Sequence, residues 1–184
     1  MKKSIRSSIF PNLRTMTSAA MLTAMSVVIG IFCKNFLNFG GGLFRITFEN
    51  LPVILAGILY GPLAGGVVGA ASDLVSYLLS SQAYPPNLIV TLGAFASGFI
   101  AGIVPRYLLR RRGLAQIILS GSMAHLVASM LIKSLGLYQY YGALVIWRIP
   151  LYLIIAPLEI LILCMLLRNK TVQRLVGYSF KEKP

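Results

Sequence analysis

The side chains able to do chemistry in this sequence are few. Of four acidic residues, three lie within or at the edge of apolar runs: Glu49, Asp73 and Glu159. Asp73 has Tyr77 four residues on, so a helix would put both on one face. Glu49 opens an apolar run, where a helix macrodipole favours a carboxylate and capping is one reading. Glu159 follows Pro157 and invites a neighbouring cation, while His125, the only histidine, sits mid-run as a structural residue or a ligand contact. Against these acids stand Lys34, Arg45, Lys133 and Arg148. A charge in hydrocarbon costs several kcal/mol unless it pairs, lines a cavity or binds something.

Aromatic residues interleave with those cations: Phe44, Phe48, Tyr77, Tyr84, Tyr138, Tyr140, Tyr141 and Trp147. An interfacial belt accounts for Tyr138, Tyr140 and Tyr141. It does not account for Arg148, set in an apolar helix two residues before Pro150. A pocket floored by apolar helix, walled by aromatics and capped by guanidinium groups suits a flat heteroaromatic ligand with a carboxylate tail.

Other chemistries lack their motifs. No lysine follows a glycine, so there is no GxxxxGKS or GxxxxGKT loop and no ATP hydrolysis by a P-loop in this chain. No HExxH, CxxC or histidine cluster exists, so neither metal nor cofactor is expected. Ser97 and His125 define an alternative, an intramembrane Ser/His hydrolase, but no oxyanion-hole motif accompanies them. A third reading is a structural subunit in which Asp73, Arg148 and Glu159 form internal ion pairs.

The elements that must position these residues are membrane helices. The 184 residues are 57% hydrophobic and 11% charged, yet carry a net charge of +13. An ordinary soluble domain is about a quarter charged, so a globular enzyme, a disordered tail and a soluble nucleic-acid binder are excluded. At roughly 20 residues per span, the chain has room for about six or seven spans and no soluble domain besides. Apolar runs predict six helices, at about 15–33, 49–60, 63–80, 88–109, 114–136 and 143–168, in one integral membrane domain over 1–184. Gly61-Pro62 makes the second and third a tight hairpin. The loop over 34–48 carries Gly40-Gly41-Gly42, a hinge. The basic N-terminus resembles a secretory signal, but the run from Met16 to Phe32 ends without a small-residue cleavage site and reads as a retained first span. Cys33 and Cys164 fall near opposite faces and read as apolar fillers.

Charge fixes orientation. With the N-terminus inside, 13 of the 17 Lys and Arg residues fall on the cytoplasmic face, and six spans bring the C-terminus there too. The run Arg110-Arg111-Arg112 then reports topology, or contact with anionic lipid or a partner subunit, rather than nucleic acid. Small residues recur every four positions: Gly57, Gly61, Gly65 and Gly69; then Ala94, Gly98 and Gly102; and Ala20 and Ala24 in the first helix. The glycines read as internal packing, and Ala20 and Ala24 as an outward face able to dock another membrane protein.

The stretch from Phe44 through Arg45, Phe48, Glu49, Leu51-Pro52 and Ala56-Gly57, running into Gly61-Pro62, Gly65 and Asp73, resembles substrate-binding S components of energy-coupling factor (ECF) vitamin transporters, most of all the folate (FolT) branch. Pro86-Asn87, Gly93 to Gly102, Trp147-Arg148-Ile149-Pro150 and Pro157-Leu158-Glu159 extend the similarity over Met16 to Arg168. The resemblance implies a six-helix, non-enzymatic vitamin-capture subunit of a bacterial cell membrane. It further implies a separate transmembrane coupling subunit, docked on Ala20 and Ala24, and two ABC-type ATPases. For a folate ligand it implies Arg45 and Arg148 at the carboxylate tail with Lys133 second, Asp73 at the pterin edge, and Phe48, Tyr77, Tyr84 and Trp147 as walls. Riboflavin, pantothenate, biotin or a queuosine precursor are alternative ligands by charge, whereas cationic thiamine is disfavoured. His125 has no counterpart in the pattern.

Overall fold

The computed structural model describes residues 12–39, 44–79, 87–109 and 113–176. Its first helix, α1 (Leu13–Phe36), is apolar nearly all round, as a helix solvated by lipid must be. It buries Ala19, Ser26, Val27, Gly30 and Cys33 and closes where Leu37 N–H donates to Cys33 O (2.9 Å). The chain then forms a strand pair that the sequence reading, with its plain loop over 34–48, does not contain. β1 (Asn38–Phe39) runs antiparallel to β2 (Phe44–Arg45), with Asn38 opposite Arg45. The hinge at Gly40-Gly41-Gly42 lies outside the described residues.

Helix α2 (Asn50–Tyr60) is short and central, with every residue from Asn50 to Ile58 buried. It stops at Gly61, whose φ of 97° a Cβ would resist, and Pro62 opens α3 (Pro62–Leu79) at once. Arg106 closes this hairpin by donating from Nη2 to Tyr60 O (3.0 Å). Helix α4 (Leu88–Ile103) begins at Asn87, whose side chain accepts from Ile89 N–H (2.9 Å) and donates to Gly136 O (2.7 Å). It widens into a π-helical turn, Val104–Leu108, around Pro105, which has no N–H to continue the α pattern.

The expected glycine packing is present where α2, α3 and α4 meet. A Cβ on Gly98 would collide with the Gly65 carbonyl, and one on Gly65 would lie 2.5 Å from Gly57 Cα. Backbone therefore touches backbone, the contact by which helices associate when lipid removes the hydrophobic drive.

From Leu114 to Arg168 the chain is helical without a coil break: α5 (Leu114–Met123), a π-helical segment (Ala124–Ile132), α6 (Lys133–Tyr141), a 3₁₀ segment (Gly142–Trp147) and α7 (Arg148–Arg168). The loop predicted over 137–142 is thus largely helix, and the sixth predicted helix starts as 3₁₀ and becomes α only at Arg148. The reversal is made by Gly142, at φ 56°, and it returns α7 against α5. A short α8 (Lys170–Val176) follows. Among the described residues, four helical stretches are long and apolar enough to cross a membrane: Leu13–Phe36, Pro62–Leu79, Leu88–Leu108 and the 55-residue Leu114–Arg168. The main apolar core, which includes Ile54, Ile117, Leu163 and Leu167, joins α2, α5 and α7.

Candidate functional site

Polar residues on four apolar helices converge on one narrow, partly open cleft. Helix α1 contributes Ser26; the turn into α2 contributes Glu49, and α2 Asn50 and Val53; α3 contributes Gly69, Ser72, Asp73 and Ser76; α4 contributes Ala94. Lys133, at the start of α6, completes the wall. The spacings explain the convergence, because Ser72 and Ser76 lie one turn apart on α3 with Asp73 beside them.

Glu49 precedes α2 but its side chain makes no capping hydrogen bond to it. Its backbone carbonyl instead accepts from Ser26 Oγ (2.7 Å), fixing α1 to the head of α2. Lys133 is buried; its Nζ donates to Asn50 Oδ1 (3.0 Å) and stands 3.8 Å from Glu49 Oε1. Asp73 accepts from Thr91 Oγ1 of α4 (2.7 Å), which leaves its other carboxylate oxygen for a donor in the cleft. Lys34 reaches in from α1 and donates to Ser76 Oγ (3.0 Å). Two carboxylates, an ammonium, an amide and hydroxyls set among apolar walls can hold a planar polar molecule by its edge.

Of the residues assigned to the ligand from sequence, Asp73 and Lys133 line this cleft. Phe48 and Tyr77 are half-buried and do not form its wall. Trp147 is 62% exposed. Tyr84 and the side chain of Arg45 lie outside the described residues. Arg148 is buried at 5% exposure, its guanidinium carbon 5.8 Å from the Tyr152 ring centroid. Its Nε has no hydrogen-bond partner among the described residues. Ala20 and Ala24 are exposed on α1, opposite the stripe that carries Ser26. Glu49, Asn50, Ser26, Ser72 and Ser76 line the cleft without having been predicted for it, and Thr91, likewise unpredicted, supports Asp73 from α4. The available signal was polarity inside apolar helices, and for Glu49 the competing capping reading hid it.

A second polar group lies deeper. His125 Nε2 is 2.7 Å from Glu159 Oε2, so the residue beside Glu159 is a histidine, a cation only when protonated, rather than a lysine or arginine. Ser97 Oγ makes no hydrogen bond among the described residues, so no Ser97–His125 dyad is formed. No group of three metal-ligating side chains occurs among the described residues.

An apolar helical bundle with helices long enough to cross a membrane and a polar cleft between them has the architecture of a membrane-embedded binding protein. The chain belongs to the substrate-specific components of ECF transporters, whose family model matches residues 14–167. It is 35% identical over 81 residues to the folate transporter FolT of Clostridium novyi (strain NT), covering 44% of this chain and 46% of that one. It is 31% identical over 102 residues to an MG098 homolog of Mycoplasma pneumoniae, covering 50% of this chain and 20% of that protein. The matches thus span less than half the length of these relatives. Among solved structures, FolT bound with folic acid superposes with a TM-score of 0.67 at 25% identity, over 86% of this chain and 95% of that one. The S component of a bacterial ECF transporter superposes at 0.58 and 19% identity, over 90% and 96%, a likeness of fold.

Proposed function

We propose that this chain is the folate-capturing subunit of an ECF importer, without enzymatic activity, working through a transmembrane coupling subunit and two ABC-type ATPases. One observation carries the reading: Asp73, Glu49, Asn50 and Lys133 meet in a single cleft of a fold like that of FolT bound with folic acid. A pterin edge presents N–H donors beside a carbonyl, which calls for carboxylate and cation side by side. Asp73 takes that edge. Lys133 supplies the cation inside the cleft, and Arg45 and Arg148 supply those for the carboxylate tail beyond it. Phe48, Tyr77, Tyr84 and Trp147 serve as walls once the ligand extends past the present cleft. Burial of Arg148 with an unpartnered Nε supports an anion there, since an unpaired buried guanidinium is costly.

In this reading the chain crosses a bacterial cell membrane six times: four single passes over α1, α2, α3 and α4, and a two-pass hairpin folded at Gly142. Both termini are cytoplasmic, supported by Arg14, Arg106, Arg168 and Lys170 at the ends of helices assigned to that side. Calorimetric titration of the purified chain with folic acid tests the assignment. Saturable heat is expected; heat with riboflavin, pantothenate or biotin but none with folic acid would overturn the folate reading and leave the family membership standing.

A further inference from the structure

One donor in the cleft wall is left over once the hydrogen bonds there are assigned. Asn50, in the first turn of α2, is 2% exposed and lines the cleft. Its Oδ1 accepts from Lys133 Nζ (3.0 Å). An ammonium has donors only, so the amide cannot turn end for end while Lys133 stays in place. Nδ2 is therefore the end that remains, and it is buried with no hydrogen-bond partner among the described residues. A buried donor without an acceptor is costly, whereas an apolar side chain of the same size would carry no such cost, so the amide calls for a reason beyond packing.

The other polar atoms of the cleft sort by element. On α3, Ser72 Oγ gives its proton to Val68 O (2.7 Å), so toward a ligand it can only accept. Asp73 holds Thr91 on Oδ2 and offers Oδ1, again an acceptor. Glu49 is engaged with its own protein: a Cβ on Gly30 of α1 would stand 2.9 Å from its Oε2, and its Oε1 lies 3.8 Å from Lys133 Nζ. Where α2 meets α6 the polarity is reversed. Lys133 donates, and its charge on Oδ1 polarises the Asn50 amide and makes Nδ2–H a stronger donor. The cleft thus offers acceptors from α3 and donors from the Asn50–Lys133 pair.

We propose that Asn50 selects the ring that enters the cleft, its Nδ2 donating to a ring carbonyl that stands next to the N–H groups taken by Asp73. The proposal rests on the reading of the cleft as a folate site. The edge of a pterin runs carbonyl, N–H, amino, an acceptor followed by donors, which is the complement of an amide N–H beside a carboxylate. Lys133 is here a positioning residue as well as a cation, because it sets which end of the amide faces the ring. A ring with an amino group in place of the carbonyl brings N–H against N–H and leaves Nδ2 unpaired. A site built to hydrogen-bond one ligand group rejects an analogue lacking it far more strongly than an apolar pocket rejects a change in size.

Calorimetric titration of the full-length chain with folic acid and with aminopterin, which is folic acid with an amino group replacing that carbonyl, gives the test as a ratio of affinities. Wild type should prefer folic acid by at least about tenfold, and a smaller preference would overturn the proposal without any variant. In Asn50→Asp a carboxylate still accepts from Lys133 but presents an acceptor where the amide presents a donor, so the preference should vanish or reverse. Asn50→Leu keeps the volume and removes the donor, and should bring the two affinities to within about threefold of each other. A merely structural Asn50 would weaken both ligands alike, so a ratio unchanged from wild type in either variant would overturn its role and leave the folate reading intact. Binding of neither ligand by wild type would overturn the folate reading and this proposal together.

Discussion

Lys133 and Asp73 occupy the same cleft but are held differently, and substitution should separate their roles. Asp73→Asn keeps an acceptor for Thr91 and removes only the charge, so folic acid affinity should fall at least about tenfold with little change in thermal stability. Lys133→Met should weaken binding by roughly ten- to hundredfold and also lower stability, because Glu49 and Asn50 lose a buried donor. The His125–Glu159 pair predicts a different pattern. His125→Leu or Glu159→Leu alone should cost about 3–5 kcal/mol, and the double replacement should recover much of that loss, because the harm lies in leaving one polar partner alone. A double-mutant cycle on chemical unfolding in detergent measures it. The site was legible in sequence as far as charge reaches: Asp73 and Lys133 stand out in apolar runs. Serines did not stand out, since a hydroxyl in a membrane helix can bond its own preceding turn, as Ser72 does to Val68 O (2.7 Å). Only the packing of α1 on α2 shows that Ser26 holds Glu49.

At the scale of elements, the glycine contacts between α3 and α4 leave no room for a methyl group. Gly98→Ala should lower stability by about 1–3 kcal/mol, seen as a fall in detergent melting temperature, and should reduce binding only by way of misfolding. The period of four made these glycines readable from sequence, because helices that approach on small residues repeat them on one face. The Gly61-Pro62 hairpin was readable for a similar reason, as both residues encode their backbone angles. The continuous helix across 137–141 was not. Tyr138, Tyr140 and Tyr141 resemble a boundary, but they sit on a helix that ends only when Gly142 takes its positive φ. The strand pair flanking residues 40–43 escaped because two residues per strand give no periodicity to detect.

For the whole molecule, the exposure of Ala20 and Ala24 opposite the Ser26 stripe makes α1 two-sided, one face toward the cleft and one toward the membrane. Replacing both alanines by Trp should abolish folate uptake in cells carrying the full transporter and leave folic acid binding by the isolated subunit unchanged; uptake at the wild-type rate would remove α1 as the docking face. The cleft also imposes a constraint across generations. A Cβ on Gly93 would stand 2.6 Å from Lys133 Cγ, so the long lysine fits only because residue 93 has no side chain. Positions 93 and 133 are therefore not free to drift separately: among descendants of this sequence, a larger residue at 93 should arise only after 133 has shortened, and a line that takes that step gives up the buried ammonium.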